Sequence, residues 1–380
     1  MKYWIFVIFL LCPLAAGAET KWVLSSGLRY DMFTDDRAPQ TIGYELTIPL
    51  GVTWTWGRLV LAGDAAFGSA NVFPGTGADA NLTGLTDTRL SASYMLLAQP
   101  VGVLLGVDAD LPTGHARLSN TQQAAEAGEN HDLFEIDDFG AGFNLGASLG
   151  LAKVITAKLR LSVNGAYRVN GAYDPTSDMP DDELDPGDET RLLGKAEWQA
   201  ASWLRVTSSA AYTHFTPDRR NGQESFQEGA KFALGGAFQL TPQFAQAVSI
   251  ACGLQYAGQA KNKEQGLDGL RPEPENSNGP QFFGSLDVVY KPSQQVAFRL
   301  LGDLRHYGAS ARRDAEKGVP QEGERLRLAF GPGVIYGPNS KLALNMLAKY
   351  FILRQEQDLL NDRATTFRGV NLSLFMTYSF

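Results

Sequence analysis

The chain has 380 residues, with 33 lysines and arginines against 41 aspartates and glutamates, for a net charge of −8. An acidic balance of this kind is a poor match for nucleic acid, and none is expected as a partner. The two cysteines, Cys12 and Cys252, show no zinc-type Cys/His spacing, and no cofactor motif is visible, so no metal and no cofactor is predicted.

The N-terminus, MKYWIFVIFLLCPLAAGA, places Lys2 before an apolar run and ends in Ala16-Gly17-Ala18. That pattern predicts a secretory signal peptide over residues 1–18, too short to span a bilayer as a helix. Leu10-Leu11-Cys12-Pro13 lacks the small residue that precedes a lipidated cysteine. Cleavage removes one lysine and no acid, which takes the net charge from −8 to −9. Cys252 is then the sole cysteine and no internal disulfide can form.

Residues 19–380 read as one domain. Beyond the leader no stretch is long and apolar enough for a transmembrane helix, but a spanning β-strand alternates and its mean hydropathy is modest. Period-two alternation runs through the whole chain. WVLSSGLRYDM sets Trp22, Leu24, Leu28, Tyr30 and Met32 against Ser25, Arg29 and Asp31. VGVLLGVDADL, KLRLSVNGAYRV and AVSIACGLQYA repeat the pattern further on.

Connections alternate in length. Short ones fall at 55–58, 98–100, 200–202, 241–245, 291–295 and 337–340. Long polar ones are expected at 33–40, 70–84, 115–138, 174–189, 216–227, 260–280, 308–323 and 356–365. The reading is an all-β, antiparallel, up-and-down transmembrane barrel with short periplasmic turns and long extracellular loops. It has about 16 strands, or about 14 if the turn near Lys153–Thr156 is absent.

Counting strands back from a periplasmic C-terminus orients each one. Trp22, Trp54, Trp56, Tyr94, Trp198, Tyr290, Tyr336 and Tyr378 then gather at the periplasmic ends, and Tyr30, Tyr44, Phe67, Tyr167, Tyr212, Tyr256 and Tyr350 at the outer ends. Two aromatic girdles mark a membrane wall and serve no purpose in a soluble sandwich.

The last strand, VNLSLFMTYSF, turns Val370, Leu372, Leu374, Met376, Tyr378 and Phe380 to one face, with Phe375 the exception on the other. It resembles the assembly signal of Gram-negative outer-membrane barrels. That resemblance implies recognition by the barrel-assembly machinery through the strand ending in Phe380. Location in the outer membrane, among lipid and lipopolysaccharide, follows from it.

The inward rows carry the candidate pore lining. Glu45, Asp64, Asp87, Asp108 and Asp110 form an acidic arc with Arg58 and Arg89. Lys158, Arg160, Arg168, Arg191, Lys195 and Arg205, with Glu197, follow along the chain. Arg299, Asp303, Arg305, Arg325 and Arg327 form a basic arc expected to face the acidic one. Cross-hairpin pairing should set Arg89 opposite Asp108 and Asp303 near Arg327, leaving Arg299, Arg305 and Arg325 unpaired at the narrowest part.

Loop 115–138 is long enough to fold inward and narrow a pore. Loop 174–189 has eight acids and no base, reads as a solvated surface loop, and lacks EF-hand spacing for a divalent cation.

Two other classes stay open. A rim hydrolase would draw on His115, His131, His214 or His306, with Ser119 or Asp137 and Asp138 as partners. An adhesin or receptor would use the same outer loops, and a homo-oligomer fits any of these readings. No plug domain or energy-coupling segment is visible ahead of the first strand.

A narrower resemblance rests on LTDTRLSASYMLL followed by VGVLLGVDADLPTG. An Asp-initiated strand, a turn, and a strand ending in Leu-Pro-Thr-Gly are similar to the barrel family associated with the meta-pathway of phenol degradation. The matching residues are Asp87, Leu111, Pro112, Thr113 and Gly114. Membership implies an outer-membrane transporter for small, often aromatic molecules, so passive diffusion of small solutes is the expected function and no catalysis is.

Overall fold

The computed structural model describes residues 20–126, 133–136, 138–179, 182–242, 247–314, 318–359 and 363–380. The leader, His131 and Asp137 lie outside them. In chain order the first strands are β1 (Thr20–Asp35), β2 (Ile42–Trp56), β3 (Leu59–Phe73), β4 (Ala80–Leu85), β5 (Thr88–Leu97) and β6 (Gly102–Leu111). After the helix α1 (Asn120–Glu126) come β7 (Asn144–Thr156), β8 (Leu159–Asn170), β9 (Leu184–Asp185), β10 (Glu189–Ala201), β11 (Leu204–Phe215), β12 (Asp218–Arg220), β13 (Gln223–Gln227) and β14 (Lys231–Leu240). The chain finishes with β15 (Val248–Gln259), β16 (Lys263–Gly266), β17 (Gly269–Pro272), β18 (Gln281–Tyr290), β19 (Val296–Tyr307), β20 (Arg325–Tyr336), β21 (Leu342–Gln355) and β22 (Thr365–Ser379).

Seventeen of these strands make one antiparallel sheet that closes on itself through β1 and β22. β4 and β5 both pair with β3 and form one wall strand broken at Thr86–Asp87, so the barrel has 16 staves. The seam runs from Val23 opposite Ser379 to Asp35 opposite Phe367. Trp22 and Phe380 complete it by exchanging backbone hydrogen bonds of 3.1 and 3.0 Å. Among the described residues no helix is long and apolar enough to cross a membrane, which bears only on helices.

Alternation decides which face is which. Leu24, Leu28, Leu234, Leu254, Leu300, Leu372 and Leu374 are exposed on the outer face, Leu254 by 73%. A row of bare leucines around the whole wall is stable against hydrocarbon and not against water. Trp22 stacks on Trp54 at 5.7 Å and Trp54 on Trp56 at 5.8 Å near the short-turn end. Tyr256 meets Phe282 at 5.0 Å and Phe330 meets Tyr350 at 6.2 Å toward the long-loop end.

The turn expected near Lys153–Thr156 exists, between Thr156 and Leu159. Four of the expected loops are corrected. Residues 70–84 are mostly strand, because the β3–β4 hairpin continues to Phe73 and resumes at Ala80. Loops 174–189, 216–227 and 260–280 are not plain connectors. They join as a second, five-stranded sheet in the order β17-β16-β13-β12-β9, whose strands of two to five residues are too short to show periodicity.

The described residues of the acidic loop are also tied to the rest of the structure. Asp182 pairs with Arg220, Asp174 with Arg117 at 3.1 Å, and Asp178 accepts the Asn120 N–H at 2.8 Å. The Arg220 guanidinium holds the Asp182 carboxyl below the usual carboxylate range. Among the described residues no group of three His, Cys, Asp or Glu side chains could hold a metal.

Phe375, the apolar exception in the last strand, fits over a glycine. A Cβ on Gly27 would stand 2.4 Å from Phe375 Cδ1 and 2.7 Å from the Leu374 carbonyl oxygen. The second contact is with backbone and cannot rotate away. Gly27→Val should destabilise the barrel by about 1–3 kcal/mol, the usual cost of overpacking. Urea unfolding in detergent micelles measures this, and an unchanged midpoint would contradict the packing described.

Candidate functional site

The functional question lies inside the barrel, and the segment that follows β6 shapes it. Ser119 begins α1 as a capping box: its hydroxyl accepts the Gln122 N–H at 3.3 Å, and the Gln122 side chain accepts the Ser119 N–H at 2.9 Å. The chain then turns inward, as its length suggested. Leu133, Phe134, Ile136 and Phe139 are all buried, in a cluster with Phe33, Ala70, Leu82, Phe351, Leu353 and Phe367 on the inner wall. Phe33 meets Phe134 at 5.3 Å. The wall makes room with glycine: a Cβ on Gly68 would lie 2.2 Å from Ile136 Cδ1 and 2.9 Å from Phe139 Cζ.

The base of this inner loop is a clamp built by the break in the β4/β5 stave. Asp87 Oδ1 accepts the Gly114 N–H at 2.9 Å, and Oδ2 accepts the Ala141 N–H at 2.8 Å, so one carboxylate holds both ends. The Thr113 hydroxyl accepts the Thr88 N–H at 2.9 Å and donates to the Thr86 carbonyl at 3.1 Å. A Cβ on Gly114 would sit 1.8 Å from the Phe139 carbonyl oxygen and 2.8 Å from the Asp87 nitrogen, so only glycine fits. Tyr173 is half-buried near the same base, and burial foremost, then the carboxylates of Asp138, Glu126, Asp218 and Asp87, pushes its hydroxyl up to about 12.

A polar belt ties the wall together beneath the apolar cluster. Asp303 takes hydrogen bonds from Arg327 at 2.7 Å and Lys349 at 2.8 Å. Arg327 reaches Asn371 at 3.0 Å, Asn371 donates to Asp31, and Arg29 pairs with Asp31 at 2.8 Å and with Glu135 of the loop. Glu45 Oε1 accepts the Glu135 N–H at 3.0 Å, the Ile136 N–H at 3.2 Å and the Thr47 hydroxyl at 3.0 Å.

These contacts redraw the expected pore lining. Glu45 and Arg327 face inward but are fully buried, Glu45 under the loop and Arg327 against the Phe351 ring at 4.7 Å. Asp303 and Arg327 meet as expected. Arg89 is opposite Asp110, not Asp108, because the turn extends through Val101 and a bulge at Leu96 offsets the register. Asp110 also binds Arg168. Arg299 is not unpaired, since it grips Asp287 with contacts of 3.2 and 2.6 Å. Nor are Arg305 and Arg325: both have partners, and Arg325 lies over the Tyr307 ring at 4.7 Å. Asp64 is exposed opposite Arg89, and Asp108 half-buried opposite Ser91. Arg160 and Lys195 are exposed on the inner parity, with Lys195 on Glu197 at 2.6 Å.

The opposite side of the lumen is built differently. On β11, β14 and β15 the inward positions include Ser209, Ala211, Ala233, Gly235, Gly253 and Ala257. Two hollows open along that strip. One of about 250 Å³ touches Thr207, Ser209, Gln255 and Ser285, and one of about 240 Å³ touches Thr213, Lys231, Gln259 and Gln281.

His115 packs over Gly84, His306 Nε2 meets Glu324 at 3.0 Å, and Ser119 serves as the helix cap.

The model of the family described as "Putative MetA-pathway of phenol degradation" matches residues 16–271. The chain belongs to that family. The Asp87 and Leu-Pro-Thr-Gly residues fall inside the match, and in this member they are the clamp of the inner loop. Solved structures similar to the chain include OprB of Pseudomonas putida, with 10% identity, a TM-score of 0.45, and coverage of 96% of this chain and 93% of that one. OccK7 (OpdD) of Pseudomonas aeruginosa has 12% identity and a TM-score of 0.46 over 96% and 99%. TodX, the Pseudomonas putida toluene transporter, has 10% identity and a TM-score of 0.41 over 96% and 90%. No curated protein matches the chain.

Replacing Asp87 with alanine strips two N–H groups of their acceptor, at about 1–3 kcal/mol for each one left unsatisfied. Asp87→Ala should therefore loosen loop 114–141 while the wall stays closed. Limited proteolysis of the reconstituted barrel should cut within the loop sooner than in wild type, with no change in the strand signal by circular dichroism.

Proposed function

We propose that the barrel is a channel of the Gram-negative outer membrane through which small solutes diffuse passively, small aromatic and organic molecules among them. The observation that carries this reading is the division of the lumen. The inner loop fills the side formed by β1 to β4 and β20 to β22, while the strip on β11, β14, β15 and β18 is lined by small and amide side chains. A filled interior on every side would make a structural plug, and an empty one a wide pore. A half-filled interior makes a narrow lane, whose width and wall charge select what passes. The family's link to phenol breakdown supports an aromatic cargo.

By the same reading, the leader over residues 1–18 directs export and is removed, and β22 is the strand that the assembly machinery engages. The outward rows meet lipid and lipopolysaccharide. Inward Asp64, Asp108, Arg160, Lys195, Arg299, Arg305 and Arg325 line the lane or its mouth, whereas Glu45 and Arg327 act through the loop and the belt.

Reconstitution into a planar bilayer tests the reading directly. Stepwise current increments are expected, and replacing residues 116–138 with a short Gly-Ser linker should enlarge each step. A barrel that inserts without conducting, yet cleaves lipid or peptide at its rim, would overturn the proposal in favour of a hydrolase.

A further inference from the structure

The outer face of the wall carries almost no charge. Among the described residues of the wall strands, only Lys153, Arg354 and Arg368 are acids, lysines or arginines of outward parity. Lys153 stands at the short-turn end of β7. The two arginines stand together at the long-loop end of β21 and β22.

Register sets their level. Tyr350, Val370, Met32 and Tyr44 lie along one row across β21, β22, β1 and β2, in the outer aromatic girdle. Arg368 is one row closer to the loops, between Ile352 and Thr34. Arg354 is a row further, opposite Thr366, so the two arginines are diagonal neighbours, with side chains rooted roughly 7–8 Å apart. Both are exposed, and Arg368 has no side-chain partner among the described residues. Arg354 touches Glu356 at 2.9 Å, in a pair whose side chains are 65% and 46% exposed. A pair that open holds weakly and leaves most of the guanidinium N–H groups unused. Asp36, the other acid beside these rows, accepts the Thr366 N–H at 3.1 Å.

Below the arginines, on the same strands, lies an apolar groove. It holds about 500 Å³ and touches Leu28, Tyr30, Met346, Ala348, Leu372 and Leu374. Leu372 is four residues from Arg368, roughly 13 Å along the strand. The groove is hollow at Pro332 and Ala348, whose side chains are short. Pro332 has no N–H to give, and the β20–β21 ladder lapses between Phe330 opposite Tyr350 and Gly333 opposite Leu347.

The combination is chemically specific. On the lipid face of a barrel, arginine is tolerated near the interface and costly at depth. A general need for interfacial cations would scatter them around the rim, as the tyrosines are scattered. Here they occur on two adjacent strands, above a groove. Guanidinium groups match phosphate oxygens in charge and geometry, and a bare apolar groove suits an acyl chain. A free phosphate uses only the arginines, and a neutral lipid only the groove. A lipid with phosphate above its acyl chains uses both, and in an outer leaflet that describes the lipid A part of lipopolysaccharide. We propose that Arg354, Arg368 and the groove beneath them form a site for one lipid A molecule. This rests on the outer-membrane reading above and gives the lipid contact a fixed place on the wall.

The test uses the mature chain in detergent, with lipid adducts counted by native mass spectrometry. The probes are bisphosphorylated lipid A, the same lipid with its phosphates removed, and inorganic phosphate. One bisphosphorylated lipid A should stay bound at concentrations about tenfold or more below those the dephosphorylated form needs, the scale of a hydrogen bond to a charged group. Inorganic phosphate at matched concentration should not displace it.

Arg354→Gln and Arg368→Gln should each weaken retention of the bisphosphorylated lipid by about tenfold and leave the dephosphorylated one unchanged. Arg368→Lys, which keeps the charge and loses the fork, should recover only part of it. Ala348→Phe, which fills the groove, should weaken both lipids. Lys153→Gln, at the opposite interface, should change nothing. All these side chains are exposed, so each variant should keep the wild-type circular dichroism. Retention that ignores the phosphates, displacement by inorganic phosphate alone, unchanged retention in Ala348→Phe, or an equal loss in Lys153→Gln overturns the site. Conductance in bilayers of synthetic phospholipid tests the channel separately. A barrel that conducts without phosphate-dependent lipid binding keeps the channel and loses the site, and one that binds without conducting does the reverse.

Discussion

A chain crossing hydrocarbon must pair every backbone N–H and C=O within itself, since each orphan costs several kcal/mol. Closure of β1 onto β22 meets that condition here, and the rest of the structure follows from it. Once the sheet is a cylinder, alternate side chains face lipid or lumen except at its few bulges, so each strand carries two separate chemistries at alternate positions. Mean hydropathy averages the two and hides both. This is why a chain only 44% hydrophobic can present an unbroken greasy wall.

The interior then poses the opposite problem. A cylinder of this girth encloses more space than its own inward side chains fill. The chain resolves this unevenly, by folding a segment of its longest loop against one side only. Two kinds of force hold it there. Leu133, Phe134, Ile136 and Phe139 bury against rings of the wall, while Asp87 and Glu45 accept backbone N–H groups at its base and middle. The apolar contacts supply most of the attraction and have no direction. The carboxylates fix where the loop sits, because each oxygen must find its own donor.

Much of the architecture was legible in the chain. Alternation, the girdles, the strand number and the inward turn of the long loop all come from periods and lengths that a single strand displays. The clamp was half legible. Asp87, Thr113 and Gly114 stood out as a pattern, yet read locally they only end one strand and begin another. Their meaning depends on Ala141, which is close in space and far in sequence. The helix cap at Ser119 and Gln122 was readable in principle, because its spacing is a recognised start signal. The outer five-stranded sheet was not, since its strands come from three separate loops and none is long enough to show a period.

The wall charges are where local reading fails most clearly, and the reason is physical. An inward row of arginines suggests a field that reaches across the lumen. In the folded barrel Arg299 lies on Asp287, Arg89 and Arg168 on Asp110, and Arg327 and Lys349 on Asp303. A close pair is a dipole, and its potential falls off faster with distance than that of a lone charge. In salt water, screening over about 8–10 Å leaves little of it at the far wall. The barrel is therefore better described as a set of local polar patches than as two opposed arcs. In the channel proposed above, a solute would meet each patch at contact range, where shape and hydrogen-bond directions discriminate. Selection by contact rather than by long-range field is what the proposed passage of small organic molecules would require, since they differ in shape and end groups more than in net charge.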